Sequence, residues 1–171
     1  MRPLSDDSSN ASARLQIAAR KAKYAGRVRN SMNAEFVDTN ILIYAHDSGA
    51  GAKHAKCIAL LERLVDEDRA ALSTQVLAEF YAAATKKLRM AGEEAEQVLR
   101  DLEGWVLHRP TLSDLLSASQ LSRRHMISWW DALILNSAIE LNCSVLWSED
   151  LADKQRFGSL IVRNPFSSLS N

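Results

Sequence analysis

The stretch Glu35-Phe36-Val37-Asp38-Thr39-Asn40-Ile41-Leu42-Ile43-Tyr44-Ala45-His46 sets an apolar run against a carboxylate and then resumes as an apolar helix. Phe36 and Val37 favour a buried strand. Thr39 or Asn40 offers a side-chain oxygen to cap the helix, and Ile41, Leu42 and Ile43 continue inward. The order reads as strand, turn and helix, with Asp38 at the strand's carboxyl end. In open α/β sheets that edge forms the ligand crevice, because strand ends and helix N-termini diverge there.

The rest of the chain repeats the alternation. Residues 54–68 carry Cys57, Ile58, Leu60, Leu61, Leu64 and Val65 at helical spacing. Ala70-Ala71-Leu72-Ser73 is short enough for a second buried strand, and Ser73 or Thr74 can cap the helix after it. That helix holds Leu77, Phe80, Tyr81, Ala84 and Leu88 as its core stripe, with Glu79 on the flank beside Val76 and Ala83. A further helix opens at Gly92 and runs to about Leu102, and Trp105-Val106-Leu107 reads as a third strand ended by Pro110. Residues 111–124 and 129–141 are helical, Ser128 starting the second of these. Cys143 to Trp147 is a fourth strand and Leu160-Ile161-Val162 a short fifth. Strands alternating with helices predict an α/β fold: a parallel sheet sandwiched by helices in three layers.

Of the 171 residues, residues 1–33 hold seven Lys or Arg against Asp6 and Asp7, and they contain few large apolar side chains. They are expected to form a basic, poorly ordered leader, with one folded domain over 34–171. That remainder carries 14 bases and 19 acids, so a polyanion would need a local basic patch or bound cations to approach it. Cys57 and Cys143 show no metal-ligand spacing and are expected to be buried free thiols in a reducing cytoplasm. No run reaches about 18 consecutive apolar residues, so no membrane span is expected.

Asp38 and Glu149-Asp150 each follow a predicted strand, and Glu79 and Asp131 sit early in helices, so parallel topology would carry them all to one edge. Clustered carboxylates repel one another unless protons or hard cations neutralise them. Oxygen-only ligation favours Mg²⁺ or Mn²⁺ over zinc, and the four histidines show no i, i+4 pair. Such sites perform phosphoryl chemistry. Each acid also has a plainer reading. Ser128-Trp129-Trp130-Asp131 matches a capping box, in which Asp131 is only a helix start; Glu79 alone is a solvated flank residue and Asp38 alone a turn residue. Arg123 and Arg124, in the segment leading to Asp131, are the first candidates for RNA contact.

The ordered segments Phe36-Val37-Asp38-Thr39-Asn40, Leu77-Ala78-Glu79-Phe80, Trp130-Asp131-Ala132-Leu133-Ile134 and Leu146-Trp147-Ser148-Glu149-Asp150-Leu151 resemble PIN-domain ribonucleases, especially the VapC toxins of toxin–antitoxin modules. The likeness spans about Glu35 to Phe166. It implies metal-dependent RNA cleavage, a homodimer and a small antitoxin partner. Residue by residue, it implies catalytic and metal-binding roles for Asp38, Glu79, Asp131 and Asp150, with Asp153 as an accessory metal ligand and Glu149 a weaker candidate; Asn40 joins the substrate-contact set. Lys154 stands where relatives often have glycine. Two other classes compete. A phosphoacceptor domain expects an acid pair after its first strand, and a dehalogenase-like phosphatase expects an Asp where Asn40 stands. A non-catalytic interaction domain should have lost at least one acid, and none is missing.

Overall fold

The computed structural model describes residues 33–169; the expected leader, apart from Asn33, lies outside the described residues. Strand β1 (Glu35–Val37) leads into helix α1 (Thr39–His46), and a 3₁₀ turn at Ser48–Ala50 precedes α2 (Ala52–Asp66). Then come β2 (Ala70–Ser73), α3 (Thr74–Lys86), α4 (Gly92–Leu102), β3 (Val106–His108), α5 (Leu112–His125) and α6 (Trp129–Glu140). The chain closes with β4 (Val145–Trp147), β5 (Arg156–Phe157) and β6 (Leu160–Arg163). The sheet order is β3-β2-β1-β4-β6-β5. Pairing is parallel from β3 through to β6, with Phe36 opposite both Ala71 and Leu146.

Every residue of β1 and β2 is buried. A strand hidden on both faces needs cover above and below, which is why Phe36-Val37 and Ala70-Ala71-Leu72 run apolar without alternation. Phe36, Val37, Leu72 and Leu146 in the strands meet Ile41, Leu42, Leu61, Val76, Phe80 and Leu135 from the helices, all at most 1% exposed. Cys57 and Cys143 belong to this core as free thiols, and burial pushes both up to about 12, so they stay protonated and unreactive.

Two features depart from the expectation. Asp38, not Thr39 or Asn40, is the N-cap of α1: its backbone is extended and its carboxylate accepts the Thr39 N–H. An acid satisfies an orphan donor as well as a hydroxyl does, and gains from the helix dipole. The sheet is also not wholly parallel. β5 pairs antiparallel with β6 through the Gly158-Ser159 turn, where Gly158 takes φ of +62°. A Gly-Ser pair between short apolar segments is a hairpin signal, and glycine supplies the positive φ without a Cβ clash.

The N-terminal end of β1 carries a second buried acid. Glu35 accepts from Trp147 Nε1 at 2.6 Å and from Arg63 Nη2 at 2.8 Å, and it pairs with Arg69 at 2.8 Å. Burial alone would raise its pKa, but the Arg63 and Trp147 hydrogen bonds and the two guanidinium charges outweigh burial and hold the carboxyl below 4.5. Its folded pKa lies below its unfolded one, so its contribution is present above about pH 4.5 and is lost as pH falls through the folded value. Glu35→Ala should destabilise by about 1.5–3 kcal/mol, the range for hydrogen bonds to charged groups, because Arg63 and Arg69 can turn to water. Urea unfolding at pH 7 measures it, and a change within error would show that the cluster contributes nothing net.

Candidate active site

The chain runs β1 to β2 to β3 on one side of the sheet and then returns to β4 on the other side of β1. The loops after β1 and β4 therefore diverge, leaving a crevice at the topological switch point. Asp38 follows β1 and Ser148-Glu149-Asp150 follows β4, with Asp38 N–H donating to Trp147 O at 3.0 Å. A residue pair 110 positions apart in sequence becomes adjacent here: Ser148 Oγ donates to Asp38 Oδ2 at 2.6 Å. Asp38 Oδ1 accepts Thr39 N–H at 2.6 Å. Asn40 Nδ2 bridges the acids, donating to Asp38 Oδ2 at 3.2 Å and to Asp150 Oδ2 at 3.1 Å.

Glu79 joins from the first half of α3. Thr39 Oγ1 donates to its Oε2 at 2.7 Å and Gln75 Nε2 to its Oε1 at 2.7 Å, so both carboxylate oxygens are oriented. α3 is aimed by its own cap, with buried Ser73 Oγ accepting Val76 N–H. Asp38 is only 6% exposed, and its pKa is raised to about 7. Burial is the largest cause; the Ser148 and Thr39 hydrogen bonds oppose it, and the nearby Asp150 and Glu79 charges push it further up. A carboxylate that resists ionisation among like charges is a frequent mark of a functional site.

The sequence candidates divide. Asp38, Glu79, Asp150 and Asn40 come together in one hydrogen-bonded network. Asp131 sits at the start of α6, where its N–H donates to Ser128 Oγ at 3.1 Å and its Oδ2 accepts the Ser128 hydroxyl at 2.7 Å. Its neighbour Trp130 offers a carbonyl to Gln75 Nε2 at 3.5 Å, which places the α6 start beside the residue that orients Glu79. Glu149 lines the crevice but is ion-paired with Lys53. Asp153 accepts Asn164 N–H at 2.9 Å and so ties the β4–β5 connection to the chain after β6. Arg123 and Arg124 are exposed in the last turn of α5, Arg123 donating to Ser119 Oγ, and neither lines the crevice.

Ser148, Thr39 and Gln75 hold the acids, a role that local pattern in the sequence does not assign to them. Ser148 was legible as the first residue of the Ser-x-Asp segment; Gln75 had no local signal beyond its i, i+4 spacing to Glu79. The crevice is about 630 Å³ and is lined by Thr39, Asn40, Ile43, Tyr44, Asp47, Glu79, Ala83, Lys87, Leu88, Glu149 and Asp150. Among the described residues, no three His, Cys, Asp or Glu side chains stand as a ready-made ligand set for one ion. The donor chemistry nonetheless fits a hard divalent cation. Asp38, Glu79 and Asp150 are oxygen donors, the charges of the last two raising the pKa of Asp38, and Asn40 Oδ1 adds a buried carbonyl with no hydrogen-bond partner.

A mostly parallel sheet with its acids gathered at the switch point defines an α/β protein with an anionic crevice at its carboxyl edge. The PIN-domain family model matches residues 36–155, and the chain belongs to that family. A search of curated proteins found no match. Among solved structures, a toxin–antitoxin complex from Klebsiella pneumoniae is similar over 77% of this chain and 98% of the other, at 19% identity and a TM-score of 0.58. VapBC2 from Rickettsia felis, bound to a promoter DNA fragment, covers the same shares at 22% identity and a TM-score of 0.56. VapC20 of Mycobacterium tuberculosis, a sarcin–ricin loop cleaving toxin, matches 66% of this chain and 87% of its own at 18% identity and a TM-score of 0.52. These likenesses establish a shared fold. Among the described residues, no helix is long and apolar enough to cross a membrane.

Proposed function

We propose that this protein is a metal-dependent endoribonuclease, the toxin of a cytoplasmic toxin–antitoxin pair, using Mg²⁺ or Mn²⁺ held by Asp38, Glu79, Asp131 and Asp150. The observation that carries the reading is the buried Asp38, raised to about 7 at the switch point of a PIN domain by burial and by two neighbouring carboxylates. A bound divalent cation activates water near neutral pH and stabilises the leaving oxygen of a phosphodiester. The chain's own residues prepare the site. Thr39 N–H and Ser148 Oγ fix the direction of the Asp38 carboxylate, Gln75 and Thr39 fix that of Glu79, and Asn40 couples Asp38 to Asp150. Holding the acids before a cation arrives lowers the reorganisation needed at the moment of reaction. Asp153, engaged with Asn164, is left as an accessory that tunes the loop carrying Asp150.

A second copy of the chain and a small antitoxin are the proposed partners. α5 leaves Leu112, Leu115 and Leu116 exposed at i, i+3 and i+4, and the turn into α6 adds Met126, Trp129 and Trp130. Large apolar groups gathered on one helix pair mark a contact surface, and a homodimer would cover them.

Purified protein freed of antitoxin should cut RNA with Mg²⁺ or Mn²⁺ and stop in chelator. Millimolar Mg²⁺ should also raise the melting temperature, by mass action and by neutralising the clustered acids. Equal cutting in chelator, or a melting temperature indifferent to the ion, would sink the metal's role.

A further inference from the structure

We infer that Lys87 is a positioning residue that holds a phosphate flanking the scissile one, an assignment that rests on the nuclease reading of the crevice. Glu79, Ala83 and Lys87 follow one another at i, i+4 and i+8 along α3 and its C-cap, and all three line the crevice. Side chains at that spacing share a helix face with a slow angular drift. The stripe therefore works as a ruler. Glu79 stands at the acid end, and Lys87 stands about 12 Å further on, at 1.5 Å rise per residue. The small Ala83 side chain between them leaves the floor open to a strand.

Charge gives the ruler its direction. Four of the lining residues, Asp47, Glu79, Glu149 and Asp150, are acids, and Lys87 is the one basic residue among them. Lys53, the other lysine near this edge, is already committed: it pairs with Glu149, and its ammonium lies 4.6 Å from the Tyr44 ring centroid and 4.9 Å from that of Phe166. Lys87 has no carboxylate partner among the described residues and is exposed at the crevice rim. An RNA strand laid across the acid end toward Lys87 would set one phosphate on the ammonium, fixing which bond reaches Glu79 and Asp38. This accounts for how an otherwise anionic crevice keeps a polyanion in register.

The test compares Lys87→Gln, Lys87→Arg and Lys86→Gln, the last an exposed neighbour at the end of α3 that does not line the crevice. KM and kcat for RNA cutting are read in the otherwise wild-type chain. Binding of a fluorescein-labelled single-stranded RNA with Mg²⁺ is read in the slow Asp131→Asn background. The expected result for Lys87→Gln is a several-fold rise in KM and Kd with kcat little changed. The slope of log affinity against log salt should fall in magnitude by about 0.7, the value of one phosphate contact on a single strand. Lys87→Arg should restore both. Unchanged Kd and salt slope in Lys87→Gln, or an equal loss in Lys86→Gln, would overturn the assignment. Binding that depends on Lys87 in a wild-type protein that cuts no RNA would sink the nuclease reading and leave Lys87 as a phosphate contact.

Discussion

Asp38→Asn should yield a folded protein whose RNA cutting falls by orders of magnitude and whose cation-free stability no longer declines between about pH 4 and pH 7. Both effects follow from one carboxylate. An amide of the same shape is a poor ligand for a hard cation, so the chemistry assigned to the site is lost. The pH effect has the opposite sign to that of Glu35. Asp38 is raised from 3.8 to about 7 in the folded state, so across that interval the unfolded chain has released its proton while the folded one keeps it. Stability therefore falls as pH rises through the window and levels off above the folded pKa. Melting temperatures taken in chelator from pH 5 to pH 8 should slope downward for the wild type, and the variant should lack that slope. Parallel curves would show that Asp38 carries no such penalty. Retained cutting at equal folded fractions would refute its catalytic role.

Asp131→Asn should also lower turnover by orders of magnitude with the fold intact, and the plainer capping role gives a different result. As a helix start, Asp131 loses only a charge favourable to the dipole, worth about 0.3–1 kcal/mol, and the amide oxygen still accepts from Ser128. Activity would then stay near that of the wild type. Ser128→Ala separates the two roles: it removes the hydroxyl that accepts Asp131 N–H, at a cost of about 0.5–2 kcal/mol, and the hydrogen bond that hydroxyl donates to Asp131 Oδ2, but leaves every carboxylate in place. It should lose stability and keep most of its activity. Comparable turnover for Asp131→Asn and wild type at saturating Mg²⁺ would refute metal ligation by this residue.

What the chain reveals by itself is local. The burial of Phe36 and Val37, that of Phe80 and Ala84 in α3, and the caps at Ser73 and Ser128 follow from neighbours within about one helical turn, where periodicity and capping chemistry act; the α3 stripe is turned from its expected setting, with Tyr81 exposed and Val76, expected on the flank, fully buried. β5 is invisible to pattern because two residues carry almost no periodicity, although Gly158-Ser159 marks its turn. The cap at Asp38 is not marked off from Thr39 and Asn40 by local pattern, because all three side chains carry an oxygen that can accept an orphan N–H.

The sequence by itself determined an α/β chain of short buried strands, with an acid waiting at the carboxyl end of β1, the first half of α3, the start of α6 and the end of β4. Only the tertiary structure decided which of these acids meet and what else claims them. Placing β4 beside β1 brings Ser148 onto Asp38 and Asp150 onto Asn40. It leaves Glu149 to Lys53, Asp153 to the Asn164 amide and Glu35 to two arginines at the far end of the same strand. These carboxylates are chemically equivalent in a sequence, and no local pattern distinguishes them. Strand order and the partners it supplies set which are neutralised and which stay free, through contacts between residues up to 112 positions apart.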